Sequence, residues 1–102
     1  SEAAEILEEV IQLEPMNGNA LLLLGNYYFR EGDYEEADYY YNRASTIDRV
    51  AVEALIQSAR LNVQQKDYAI AIERLRDAQA LEYQRNVQEY LEAVESVYER
   101  TR

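Results

Sequence analysis

Cysteine and histidine are both absent from the 102 residues. Without them the chain has no disulfides, thiol nucleophiles, zinc sites of the usual kind or the commonest general base, and the compartment stays open. A long apolar run is also missing. The longest, Ala20 to Leu24, falls far short of the roughly 18 residues that mark a membrane span, and nothing near Ser1 has the form of a signal peptide. Positive charge is scarce: ten basic residues stand against twenty acidic ones, a formal net charge of -10. No Lys/Arg cluster interrupts that field, which repels phosphate backbones and argues against nucleic acid as a partner. No segment reads as a strand.

What the chain does have is a period. Asp33-Tyr34-Glu35-Glu36-Ala37 returns as Asp67-Tyr68-Ala69-Ile70-Ala71, a displacement of 34 residues. At the same offset Gly25 answers to Ala59, Ala44 to Ala78, Gly32 to Lys66 and, read backwards, Ala37 to Ala3. A repeat of this length points to an array of stacked helical hairpins. The small residues Gly25, Ala37, Ala44, Ala59, Ala71 and Ala78 let helix axes approach closely, while Leu21, Leu24, Tyr28, Tyr41, Leu55 and Leu75 fill the space beside them. Turn signals lie at Pro15-Met16-Asn17-Gly18, Glu31-Gly32-Asp33 and Lys66-Asp67, with Asp33 and Asp67 placed to accept backbone N–H bonds as N-caps. These features predict helices at about 2–13, 19–31, 34–47, 51–65, 68–81 and 86–100.

Residues Asn19 to Arg49 resemble a tetratricopeptide repeat, whose pattern runs W-x2-L-G-x2-Y, then A-x3-F, a small residue and Pro. Leu21 takes the Trp position, followed by Leu24-Gly25, Tyr28, Ala37, Tyr41 and Ala44, with Arg49 in place of Pro. The next copy reads Leu55, Ser58-Ala59, Asn62, Ala71, Leu75, Ala78 and Tyr83, and departs from the pattern at Ser58 and Asn62. Upstream, Ala3, Leu7 and Val10 fall where a second helix puts its packing residues, and Pro15 falls where the pattern expects Pro. The resemblance implies an all-α fold: a right-handed superhelical stack of antiparallel helix hairpins, an α-solenoid of about six helices. Residues 1–17 are then the second helix of a truncated repeat, 18–51 and 52–85 two repeats, and 86–102 a C-terminal capping helix. An odd first helix predicts a fragment of a longer array. In the last helix Val87, Tyr90, Leu91, Val94, Val97 and Tyr98 form an apolar stripe, about one residue out of the repeat register, opposite Glu89, Glu92, Glu95 and Glu99.

The resemblance also implies a concave groove lined by first helices. Its groove-facing positions fall on Asn19, Leu22, Asn26, Phe29 and Arg30, and on Glu53, Ile56, Arg60, Val63 and Gln64. There Asn26 would bond a peptide backbone, Phe29 would pack an apolar side chain, and Arg30 with Arg60 would attract an acidic residue or a terminal carboxylate. The competing expectation pairs Arg30 with Glu31 or Asp33 and Arg60 with Glu53, and covers Phe29 with a neighbouring element. Chaperone-binding members of the family clamp a C-terminal carboxylate with Lys, Asn, Asn, Lys and Arg. Only Asn26 matches, Leu22 and Gln57 replacing the first Lys and second Asn, so that clamp is not expected here.

Other clusters carry less. Tyr39, Tyr40 and Tyr41 point in directions spread over about 200° of a helix, so only Tyr41 is expected in the core. Glu35, Glu36 and Asp38 diverge and form no oxygen cage for a cation, which predicts no metal and no cofactor. No carboxylate pair faces across a pocket as acid and base, so no enzyme is expected. Two functions remain. One is a protein-interaction adaptor holding an extended peptide, with no nucleic acid and no membrane insertion. The other is a structural spacer or self-association module, a homodimer through exposed terminal helices.

Overall fold

Helix boundaries follow local chemistry. A computed structural model describes residues 1–102 and places six helices: α1 (Glu2–Leu13), α2 (Gly18–Arg30), α3 (Tyr34–Ala44), α4 (Ala51–Gln64), α5 (Tyr68–Leu81) and α6 (Arg85–Thr101). Asn17 and Asp33 cap α2 and α3, their carboxamide and carboxylate oxygens accepting from the backbone N–H of Ala20 and Glu36. Asp67 holds the equivalent place before α5 without a side-chain cap bond, which corrects half of the capping expectation. Helix α3 stops at Ala44, three residues short of the predicted end at 47. Ser45 and Thr46 donate their hydroxyls to the carbonyls of Asn42 and Arg43, and side chains that bond back in this way compete with the helical ladder.

The two hairpin turns end α2 and α4 alike. Gly32 has φ 79° and Lys66 φ 64°, and in both the next amide reaches back to close the turn, Asp33 to the Tyr28 carbonyl and Asp67 to that of Asn62. A left-handed conformation costs an L-residue roughly 1–2 kcal/mol that glycine escapes. Lys66→Gly is therefore expected to raise stability by about 1 kcal/mol, seen as an increase of about 4–8 °C in the melting midpoint; an unchanged or lower midpoint would contradict this account of the turn.

Helices pack in sequence, α2 on α3 and α4 on α5 forming the closest pairs, with α1 on α2, α3 on α4 and α5 on α6 completing the stack. All five repeat alanines, Ala37, Ala44, Ala59, Ala71 and Ala78, are completely buried, as are Tyr41, Leu24 and Leu75. Tyr28 and Leu55 are only half-buried. The aromatic run divides as expected: Tyr41 lies in the core, Tyr40 stacks on Tyr28 at 5.8 Å, and Tyr39 is exposed beneath the Arg43 guanidinium.

In α1 the buried residues are Ala4 and Ile11, while Ala3 is exposed and Leu7 and Val10 half-buried. Leu7 and Val10 pack against the apolar core as expected, and Ala3 alone falls outside it. The flank bearing Ala3, Leu7 and Val10 corresponds to the one that α2 covers on α3 and α4 covers on α5; α1 packs chiefly on α2 and buries Ala4 and Ile11 most fully.

Two apolar clusters result. One spans α1 to α4 and is closed by Ala54 and Leu61; the other joins α4, α5 and α6 through Ala59, Leu75, Val87, Leu91 and Val94. A polar junction bridges them. Arg74 of α5 donates to Asp38 of α3 at 3.0 Å, to Asn62 of α4 at 3.2 Å and to the Ser58 hydroxyl. Ser58 and Asn62, the two departures from the repeat pattern, are buried there, and no buried side-chain polar atom lacks a partner. One period earlier the positions of Asn62 and Arg74 hold the stacked pair Tyr28 and Tyr40, with the Tyr28 hydroxyl donating to Glu8 of α1 at 2.9 Å. In both junctions an acid on the preceding second helix receives the polar end. No helix is long and apolar enough to cross a membrane.

Candidate functional site

Along α2, Asn26 and Phe29 lie three residues apart and Arg30 follows, which sets all three toward one side of the helix. Along α4, Gln57, Arg60 and Gln64 follow at three and four. The two faces meet across an open groove of about 480 Å³, lined also by Gly32, Tyr34 and Tyr41.

Aromatic rings build its wall. Phe29 meets Tyr34 and Tyr41 edge to face, with centroids at 5.8 and 6.4 Å. The Tyr41 ring is buried against Gly25, and its hydroxyl donates to Asn26 Oδ1 at 2.6 Å. That bond occupies the carbonyl end of Asn26 and leaves its amide as a donor. Burial pushes the Tyr41 phenol up to about 12, against the pull of the Arg60 and Arg30 guanidiniums.

Neither arginine is neutralised. The four ion pairs of the molecule belong to Arg74, Arg76, Arg85 and Arg102, and the expected pairings of Arg30 with Glu31 or Asp33 and of Arg60 with Glu53 do not form. In a chain with twenty acidic residues, none lines this groove. Another surface hollow, about 560 Å³ at the start of α5 and the end of α6, sets Asp67 beside Lys66 and Arg102 and so has no such bias. Chemically the groove presents N–H donors and an aromatic wall. Groups of three or more His, Cys, Asp or Glu that could hold a metal ion do not occur.

Of the ten residues read from the sequence, Asn26, Phe29, Arg30, Arg60 and Gln64 come together here. Ile56 lines a second hollow of about 360 Å³ with Arg60 and with Asn86, Val87 and Tyr90 of α6. Leu22 is a correction: it is only 7% exposed and belongs to the first apolar cluster, not to the groove lining. Asn19 and Glu53 are exposed but line neither hollow, and Val63 packs half-buried against the second cluster. Gln57, Tyr34, the Tyr41 hydroxyl and the α6 residues were not among the ten. Gln57 was within reach of sequence reasoning, since it precedes Arg60 by one helical turn.

A family model described as anaphase-promoting complex, cyclosome, subunit 3 matches residues 1–78. The chain belongs to that family of tetratricopeptide-type repeats. The matched segment stops inside α5 and leaves out α6, the helix whose apolar stripe is out of the repeat register. None of the curated proteins matches this tetratricopeptide-repeat chain in sequence. Among solved structures, the Yersinia enterocolitica type III secretion translocator chaperone SycD superposes with a TM-score of 0.86 at 22% identity, covering 96% of this chain and 73% of its own. The N-terminal domain of stress-induced protein-1 from C. elegans gives 0.81 at 16% identity, covering 87% of this chain and 76% of its own. At these identities the likeness speaks for the tetratricopeptide fold alone.

Proposed function

We propose that the chain is a non-catalytic protein-interaction module that holds an extended segment of a partner protein in the groove between α2 and α4. The observation that carries this reading is the convergence of Asn26, Phe29, Arg30, Arg60 and Gln64 from two helices on one open hollow, with both guanidiniums unpaired. An extended chain exposes a carbonyl and an amide at every residue, and the Asn26, Gln57 and Gln64 carboxamides are suited to bond them. One of the structural relatives, SycD, is a translocator chaperone, in keeping with a module that holds other proteins.

A second reading, self-association or stacking through α1, is favoured by one observation: Ile6 is 54% and Leu13 83% exposed beside the exposed Ala3. One experiment separates the two. A photo-crosslinking side chain is installed singly at Gln64 in the groove, at Ile6 on the open flank of α1, and at Glu35 on the outer side of α3. The groove reading expects a partner polypeptide to be captured from Gln64 and not from Glu35. Capture from Ile6 alone, especially of a second copy, would replace it with the second reading.

A further inference from the structure

Arg60 lines both hollows. On one side it faces Arg30 and the aromatic wall; on the other it borders the apolar surface of Ile56, Val87 and Tyr90. The two subsites therefore adjoin, one donor-rich and free of acids, the other apolar. Neighbouring packed helices lie about 8–10 Å apart, and an extended chain advances about 3.3 Å per residue, so side chains two or three residues apart reach adjoining subsites. The donor-rich end is open: a Cβ built at Gly32, on its rim, would meet nothing within 4 Å. A bound chain can run out over Gly32 instead of ending there.

Resting on the groove reading above, we infer that the ligand is an extended segment with an internal aspartate or glutamate side chain held between Arg30 and Arg60, and an apolar side chain two or three residues away on Ile56, Val87 and Tyr90. Charge complementarity argues for it: two unpaired guanidiniums attract a carboxylate and offer it paired N–H donors. The net charge of -10 adds selectivity, because it repels a long acidic tract while the local pair holds one carboxylate. A run of acids is the poorer ligand.

The test is a selection on the folded chain from a library of randomised segments, flanked on both sides by fixed sequence so that no free terminus is offered. Enriched segments are expected to carry one Asp or Glu with an apolar residue two or three positions away. Changing that acid to its amide should weaken binding about tenfold, and the preference for an acid should vanish on Arg30→Gln/Arg60→Gln, with unchanged circular dichroism. Segments that lose binding on Asn26→Ala or Gln64→Ala but show no acid preference would overturn this inference and leave the groove reading standing. No enrichment, or binding indifferent to all groove substitutions, would remove both. Ligands obtained only from a parallel library with free C-terminal carboxylates would overturn the assignment to an internal side chain.

Discussion

Gly25→Ala is expected to destabilise the fold by about 2 kcal/mol, although alanine is the better helix former by roughly 1 kcal/mol. A Cβ at this position would lie 2.5 Å from two ring carbons of Tyr41. The ring has nowhere to retreat, since it is completely buried, bonded through its hydroxyl to Asn26 and flanked by Phe29. Overpacking of this kind costs about 1–3 kcal/mol, a large share of the roughly 5–15 kcal/mol that stabilises a domain. The second repeat shows the alternative solution, with Ala59 and Leu75, both completely buried, at the same two positions. Tyr41→Leu alone leaves a void beside Gly25 and loses the bond to Asn26. The double variant Gly25→Ala/Tyr41→Leu restores the pairing of the second repeat, so its loss should fall short of the sum of the single losses by about 1–3 kcal/mol. Urea unfolding of the four proteins measures this. Strict additivity would mean that the two residues do not nest as described.

Much of this arrangement was legible in the sequence because its determinants are local. Gly25, Ala37 and their partners recur at a fixed offset, and the turns carry Gly32, Asp33 and Asp67. Where the reading of the packing departed from the structure, the cause was a contact between distant residues; the early end of α3, by contrast, is set locally by Ser45 and Thr46. On α1 Ala4 and Ile11 are buried beside Leu7 and Val10 while Ala3 is exposed, because burial depends on which neighbours are present, not on the helix alone. Ser58 and Asn62 looked like decay of the pattern until Arg74 and Asp38, 36 residues apart, were seen to join them. In the groove, family resemblance found Arg30 and Arg60, but whether they were already paired is a matter of rotamers and could not be read from the chain. Tyr41 reads as core and is completely buried; its hydroxyl, the polar tip of an amphipathic side chain, finds its partner in the groove residue Asn26. The α6 wall escaped because its stripe is out of register.

Charge reversal bears most directly on the functional account. Arg30→Glu/Arg60→Glu turns an acid-free groove into one bearing two carboxylates in a chain already at -10. Both residues are exposed and outside every ion pair, so the fold and the oligomeric mass should be unchanged. Affinity for a selected acidic segment should drop at least about a hundredfold, since like-charge juxtaposition costs several kcal/mol. Replacing the acid of the segment by lysine should bring much of the binding back. The decisive measurement is calorimetric titration of both proteins with both segments. Each protein is expected to bind the segment of opposite charge and to fail with the other. Equal affinity of wild type and reversed protein for the acidic segment would contradict it.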